Sequence, residues 1–178
     1  MPDSAVSFPL APRPLAAGLR VLPLFPLAAP LSLLARRVIA ANPGLIERLG
    51  VYGACRFAID PTDLPLVLLL HPHPSRARIT VHRRPPAEAD TRIAGPLAAL
   101  LGLVHGTWDG DALFFSRDLV IEGDTGAALA LRNAIDDAEL DLGAEVAGLA
   151  GPMRGRLAPL IGLAERVTRL PLRRTREV

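Results

Sequence analysis

The sequence predicts a mixed α/β (α+β) domain, and three observations carry that expectation. Residues 66–70 form an unbroken apolar run, the pattern of a strand covered on both faces. Shortly after it, Ala77, Ile79 and Val81 alternate with Arg78, Thr80 and His82, the period of a half-exposed strand. Leu97, Leu100, Leu101 and Val104 then recur at i, i+3, i+4 and i+7, one face of a helix.

The remaining elements follow in chain order. Seven of the eighteen prolines lie within the first 30 residues. Each removes a backbone donor and turns its predecessor away from helix, so this stretch is expected as an extended apolar arm. A helix is expected to begin at Pro30, a good first-turn residue, and to run through Leu31, Leu34 and Val38 to Ala41. Asn42-Pro43-Gly44 interrupts it, and a short helix covers 45–49. A strand over 56–59 ends at Asp60-Pro61. The run at 66–70 closes in His71-Pro72-His73-Pro74-Ser75, and Pro85-Pro86 stops the strand after it. Thr91-Arg92-Ile93 is a fourth short strand. Gly95-Pro96 opens the leucine helix and Gly106 ends it. Residues 113–115 and 119–121 read as a pair of strands or one bent strand. Asp124 or Thr125 caps a last helix with the stripe Ala128, Leu131, Ile135, Ala138 and Leu142.

Composition excludes several classes. Half of the 178 residues are apolar, enough for a full core and too many for a disordered chain. All twenty basic residues are Arg, and the net charge is only +2. One Trp and one Tyr leave little to stack on bases, so nucleic acid is not an expected partner. The single cysteine, Cys55, excludes an internal disulfide and fits a reducing compartment. Residues 21–35 are apolar but short for a span, and Pro23, Pro26 and Pro30 break them. Arg13 and Arg20 precede that run as in a signal sequence, yet no clean small-x-small cleavage site follows it. The expectation is a soluble, cytoplasmic protein, with peripheral contact at an inner membrane left open.

Catalytic constellations are sparse. There is no Lys for a P-loop and no glycine-rich dinucleotide motif. His71 and His73 flank a proline turn without a carboxylate or Cys at ligand spacing, so no metal is expected. Cys55 enters a strand as a small apolar residue would. Asp136 and Asp137 point about 100° apart on a helix and suit a solvated face or a partner surface. An enzyme using His82 or His105 as base on a lipid ranks last, because no nucleophile or metal accompanies either one. No cofactor is expected. The apolar excess instead suits a hydrophobic ligand, or simply a large core.

Residues 111–125, DALFFSRDLVIEGDT, resemble the closing part of the sterol carrier protein two (SCP2) domain. With 129–140, LALRNAIDDAEL, they are similar to the UbiT (YhbT) family of ubiquinone biosynthesis accessory factors. Residues 89–95, ADTRIAG, match the same domain's step from polar strand to helix. The resemblance spans roughly 45–142 and is strongest over 109–141. It implies a curved, mostly antiparallel sheet with helices over one face and an apolar tunnel. It also implies no catalysis. The implied role is binding isoprenoid quinone intermediates in oxygen-independent ubiquinone synthesis, for hydroxylation by UbiU–UbiV-like proteins. General phospholipid or fatty-acid binding by the same fold is the alternative.

Within that frame the chain divides into a proline-rich arm and helix (1–44), the lipid-binding domain (45–142) and a basic amphipathic tail (143–178). Candidate lipid contacts are Leu66, Leu68, Leu70, Ile79, Val81, Leu97, Leu101, Val104, Phe114, Ile121 and Leu131; each would serve equally as plain core. Candidate membrane contacts on the tail are Arg156, Leu157, Leu160, Ile161, Arg166, Arg169, Arg173 and Arg174. The same tail suits a helix packed over the sheet, and charge alone does not choose. The proline arm suits a second membrane contact or a lid on the tunnel.

Overall fold

The structure, a computed structural model, describes residues 8–105, 118–138 and 140. Helices α1 (Arg13–Val21), α2 (Phe25–Ala41) and α3 (Gly44–Leu49) lead through a 3₁₀ turn, Gly50–Ala54, into the sheet. Strands β1 (Phe57–Pro61), β2 (Val67–His71), β3 (Arg78–His82) and β4 (Thr91–Gly95) follow. Helix α4 (Leu97–His105), strand β5 (Val120–Gly123) and helix α5 (Thr125–Ala138) complete the described chain. These strands lie in the order β3-β2-β1-β4-β5. Of the described pairs only β1 and β4 run parallel; the other neighbours are antiparallel. The mixed α/β fold expected from the pattern is the one observed.

The N-terminal expectation needs correcting. The proline-rich stretch is not an extended arm: it holds α1 and the first turns of α2. Its prolines explain why. Pro12 precedes α1 as its N-cap, and Pro14 and Pro26 are each the second residue of a helix, where no N–H partner is needed. Pro30 lies inside α2 rather than opening it, at the loss of one internal hydrogen bond. Proline density therefore marked helix starts, not their absence. No residue of α1 is buried, and side chains elsewhere hold it in place. Arg83 donates from Nη1 to the Leu19 carbonyl (2.6 Å) and from Nη2 to that of Leu22 (2.7 Å).

Helix α2 covers the edge strand β3. Ser32 is buried in that contact and fully used: Oγ donates to the Ile79 carbonyl (3.0 Å) and accepts from the Ile79 N–H (2.9 Å). Arg36 Nε adds a bond to the Ala77 carbonyl (2.9 Å). The unpaired ladder groups of an edge strand thus find partners within the chain.

One sheet face carries two apolar rows. Val81, Leu68, Ile59, Ile93 and Ile121 are successive cross-strand neighbours over all five strands. Ile79, Leu70 and Phe57 form the row beside it. Against these rows pack α2–α5, with Val38, Leu45, Leu49, Ala99, Leu103 and Leu131 in a single core. On the opposite face Ala58, Val67 and Leu69 make a small second cluster. A charged ladder shares that face: Arg92 bonds Asp60 Oδ2 from Nε (2.8 Å) and Glu122 Oε2 from Nη1 (2.6 Å).

The start of β1 is tied to β4 by Arg56 and Asp90. Asp90 Oδ2 accepts from the Arg56 backbone N–H (2.7 Å) and Nε (3.0 Å), and Oδ1 accepts from Nη2 (3.0 Å). These bonds hold the Asp90 carboxyl below its ordinary value of 3.8. A carboxyl depressed on folding stabilises the protein above its unfolded pKa, and that contribution fades as pH falls through the folded one. Denaturant titrations should therefore show an Arg56→Met penalty that is full at pH 7 and shrinks below about pH 4. A penalty independent of pH would leave the ion pair no part in stability.

Candidate ligand-binding site

Between the apolar rows and the helices is a cavity of about 280 Å³, partly open to solvent. That is roughly twice the ~150 Å³ engineered void that takes up benzene. The sheet supplies Ile59, Leu68, Leu70, Ile79 and Ile93. Helix α2 gives Leu31, Leu34, Ala35, Val38 and Ile39, and α3 gives Leu45, Ile46 and Leu49. From the far side come Leu100, Leu103 and Val104 of α4 with Leu131, Ala134 and Ile135 of α5. Pro72 and Leu140 complete the apolar lining, and among the described residues Arg132 is its one charged member. Such a wall removes hydrocarbon from water, worth about 0.8 kcal/mol per CH₂ buried. Among the described residues that line it there is no carboxylate, histidine, cysteine or hydroxyl group.

The described titratable side chains considered from sequence lie elsewhere; that of His105 is outside the described ones. His73 Nδ1 accepts from the Ser75 and Arg76 backbone N–H groups (3.2 and 3.1 Å), so it shapes its own turn. His82 Nε2 is 2.8 Å from Thr80 Oγ1. Burial, then the neighbouring Arg78, pushes the His71 imidazole below its ordinary range. Desolvation pushes the Cys55 thiol up, away from the reactive thiolate. Among the described residues no three His, Cys, Asp or Glu side chains gather as a metal site.

A family model for the SCP-2 sterol transfer family matches residues 35–136, more than half the chain. The chain belongs to that family. Its fold is that of a lipid carrier. Among solved structures, a ubiquinone synthesis protein, UbiJ-SCP2, is 20% identical with a TM-score of 0.52. The match covers 66% of this chain and 96% of that one. Sterol carrier protein 2 from Yarrowia lipolytica, in its apo form, is 16% identical over 68% of this chain and 98% of its own, with a TM-score of 0.44. No curated protein matches the chain significantly.

Of the lipid contacts expected from sequence, Leu68, Leu70, Ile79, Val104 and Leu131 line the cavity. Five others do not. Val81 and Ile121 end the cross-strand row on the outer two of the described strands, and neither lines the cavity. Leu66 is buried but precedes β2, so the strand's alternation does not carry it onto the lining. On α4 the lining stripe is Leu100, Leu103 and Val104, turned from the expected one; Leu97 and Leu101 pack against the core without reaching the cavity. Phe114 lies outside the described residues, as do the first part of the strand pair or bent strand expected at 113–115 and 119–121, and the whole basic tail with its membrane candidates. Sequence reasoning missed the α2 and α3 walls, although Leu31, Leu34 and Val38 already carried a helical spacing. Arg132 was missed as well, hidden between the apolar stripe positions of α5.

Proposed function

We propose that this protein is a non-enzymatic lipid-binding accessory factor of oxygen-independent ubiquinone biosynthesis. In this reading it shelters isoprenoid quinone intermediates and presents them to UbiU–UbiV-like hydroxylation proteins. The apolar cavity carries the reading, because a prenylated ring cannot travel through water unshielded. The resemblance of 111–125 and 129–140 to the UbiT family supports the pathway, as does a structural neighbour named as a ubiquinone synthesis protein. Organic extraction and mass spectrometry of lipid that co-purifies with the protein test it. A prenylated phenol or quinone supports the pathway; phospholipid or fatty acid alone would move the function to general lipid transfer.

A carrier of this kind collects its cargo at a membrane surface. Among the described residues, large apolar side chains stand exposed around the α1–α2 elbow: Leu10, Leu15, Val21, Leu22, Phe25 and Leu33, with Phe25 90% exposed. From residue 8 to residue 46 there are four arginines and no acidic residue, which suits an anionic surface. No single described helix is long and apolar enough to cross a membrane, and α1 and α2 are bent by 115°. In this reading the elbow rests in the interface, beside the helix that walls the cavity. Val21→Asp with Phe25→Asp should weaken co-sedimentation with anionic vesicles by about tenfold or more, since each apolar side chain buried is worth ~1.5–3 kcal/mol. Unchanged co-sedimentation, with the fold intact, would remove the elbow from the mechanism.

A further inference from the structure

We infer that Arg83 is the clasp of the α1–α2 elbow, a positioning residue that holds the break between the two helices in the bent form that presents Val21, Leu22 and Phe25 to a lipid surface. The inference rests on the interfacial reading of the elbow proposed above and deepens it. Arg83 follows β3 at an exposed position and reaches three backbone oxygens. Nη1 donates to the carbonyls of Leu19 (2.6 Å) and Pro65 (3.1 Å), and Nη2 donates to that of Leu22 (2.7 Å). Leu19 lies in the last turn of α1, Leu22 is its C-cap, and Pro65 stands just before β2. One guanidinium thus ties the elbow to the sheet.

Burial does little to order this corner. Helix α1 is nine residues long and buries none of them, and a helix that short is marginal by itself in water. Its start is held by Asp63, whose Oδ2 accepts from the Ala11 N–H (2.7 Å). At its end, carbonyls that no further helical turn reaches are met by Arg83. Around that end Val21, Leu22 and Phe25 are 87%, 56% and 90% exposed, so holding them in place buries nothing within the chain. What the clasp supplies is order in advance: a wedge already fixed enters an interface without first losing backbone freedom. The planar fork of Arg suits this task, whereas Lys would bring the same charge on a single ammonium. The family model begins at residue 35, so Arg83 joins an element outside the matched segment to the sheet inside it.

Two readouts test this in the full-length protein. One is trypsin cleavage at the exposed Arg20–Val21 bond, read by mass spectrometry. The other is co-sedimentation with phosphatidylglycerol–phosphatidylcholine vesicles, at low salt and at about 0.5 M salt, where charge attraction is screened. Arg83→Met and Arg83→Lys should both raise the cleavage rate about tenfold and lower vesicle binding about fivefold or more at either salt, because the freed linker must be ordered again on binding. Melting temperatures should stay near the native value, since α1 adds no buried residue to the core. Ala17→Pro, which breaks α1 and leaves Arg83 and the sheet untouched, should lower binding to a like degree. Native binding by Arg83→Lys, with a loss in Arg83→Met that vanishes at high salt, would make Arg83 a charge contact with lipid and overturn the clasp. Unchanged cleavage in both Arg83 variants, or unchanged binding by Ala17→Pro, would overturn it as well. In each case the elbow reading stands if Val21→Asp with Phe25→Asp still weakens binding; if that pair binds as the native protein does, both fall.

Discussion

Replacing Gly123 by alanine is expected to cost about 3 kcal/mol and to lower the melting temperature by roughly 6–12 °C. Gly123 closes β5 with φ +82, a backbone region that costs an L side chain about 1–2 kcal/mol. A Cβ there would also sit 2.4 Å from the Asp90 carbonyl oxygen and 3.2 Å from the Thr91 Cα, backbone atoms with no side-chain freedom to move aside. That carbonyl already accepts from the Asp124 N–H (3.1 Å), and Asp124 Oδ1 accepts from the Ala127 N–H (3.0 Å) to cap α5. One methyl group would therefore disturb the β4–β5 junction and the start of the helix that walls the cavity. Gly50 supplies the control. Its φ is +50 with ψ −120, a backbone region favourable only to glycine, but no described atom lies within 4 Å of where a methyl group would stand, so Gly50→Ala should carry the backbone cost alone, about 1–3 kcal/mol. A Gly123→Ala variant that melts with the native protein would mean that neither the backbone strain nor the close approach to Asp90 carries energy.

That junction was legible in the sequence because its chemistry is local. A glycine, a capping aspartate and an apolar helical stripe stand next to one another, and the structure uses them as expected. The strands were legible for the same reason: period-two alternation and an unbroken apolar run are written within five or six residues. The cavity was only half legible. Leu101 and Leu103 point about 160° apart around α4, and which of them faces the cavity is fixed by packing on α5 and β4. Whether Val81 or Leu68 reaches it depends on how many strands the cavity spans, not on alternation, since both occupy one cross-strand row. The arm was misread because counting prolines ignores where in a helix they fall. Pro14 and Pro26 occupy first turns, where proline is favourable.

The same geometry makes folding and ligand binding separable, and Ala35→Trp is the variant that separates them. Ala35 lies half-buried on α2, packed against the core and lining the cavity. A Trp at this position projects an indole into space that the folded chain leaves empty, so the ring gains apolar burial without displacing a packed side chain. The melting temperature should hold or rise by a few degrees, as filling a void commonly adds about 0.5–2 kcal/mol. Lipid recovered by organic extraction should fall at least tenfold, because the ring occupies the volume a ligand needs. Leu100→Ala changes the same wall in the other direction. It should cost about 2–5 kcal/mol through lost contacts and a larger void, while leaving room for ligand. A protein that keeps its lipid after Ala35→Trp would carry that lipid elsewhere, on the exposed elbow for example, and the cavity would lose its place in the mechanism. One that loses both lipid and stability would show that the space beside Ala35 is closed in solution. Stability retained with lipid lost is the outcome the wall requires: its apolar surface is then held open for a ligand, at a position where the chain itself would fold more tightly if it were filled.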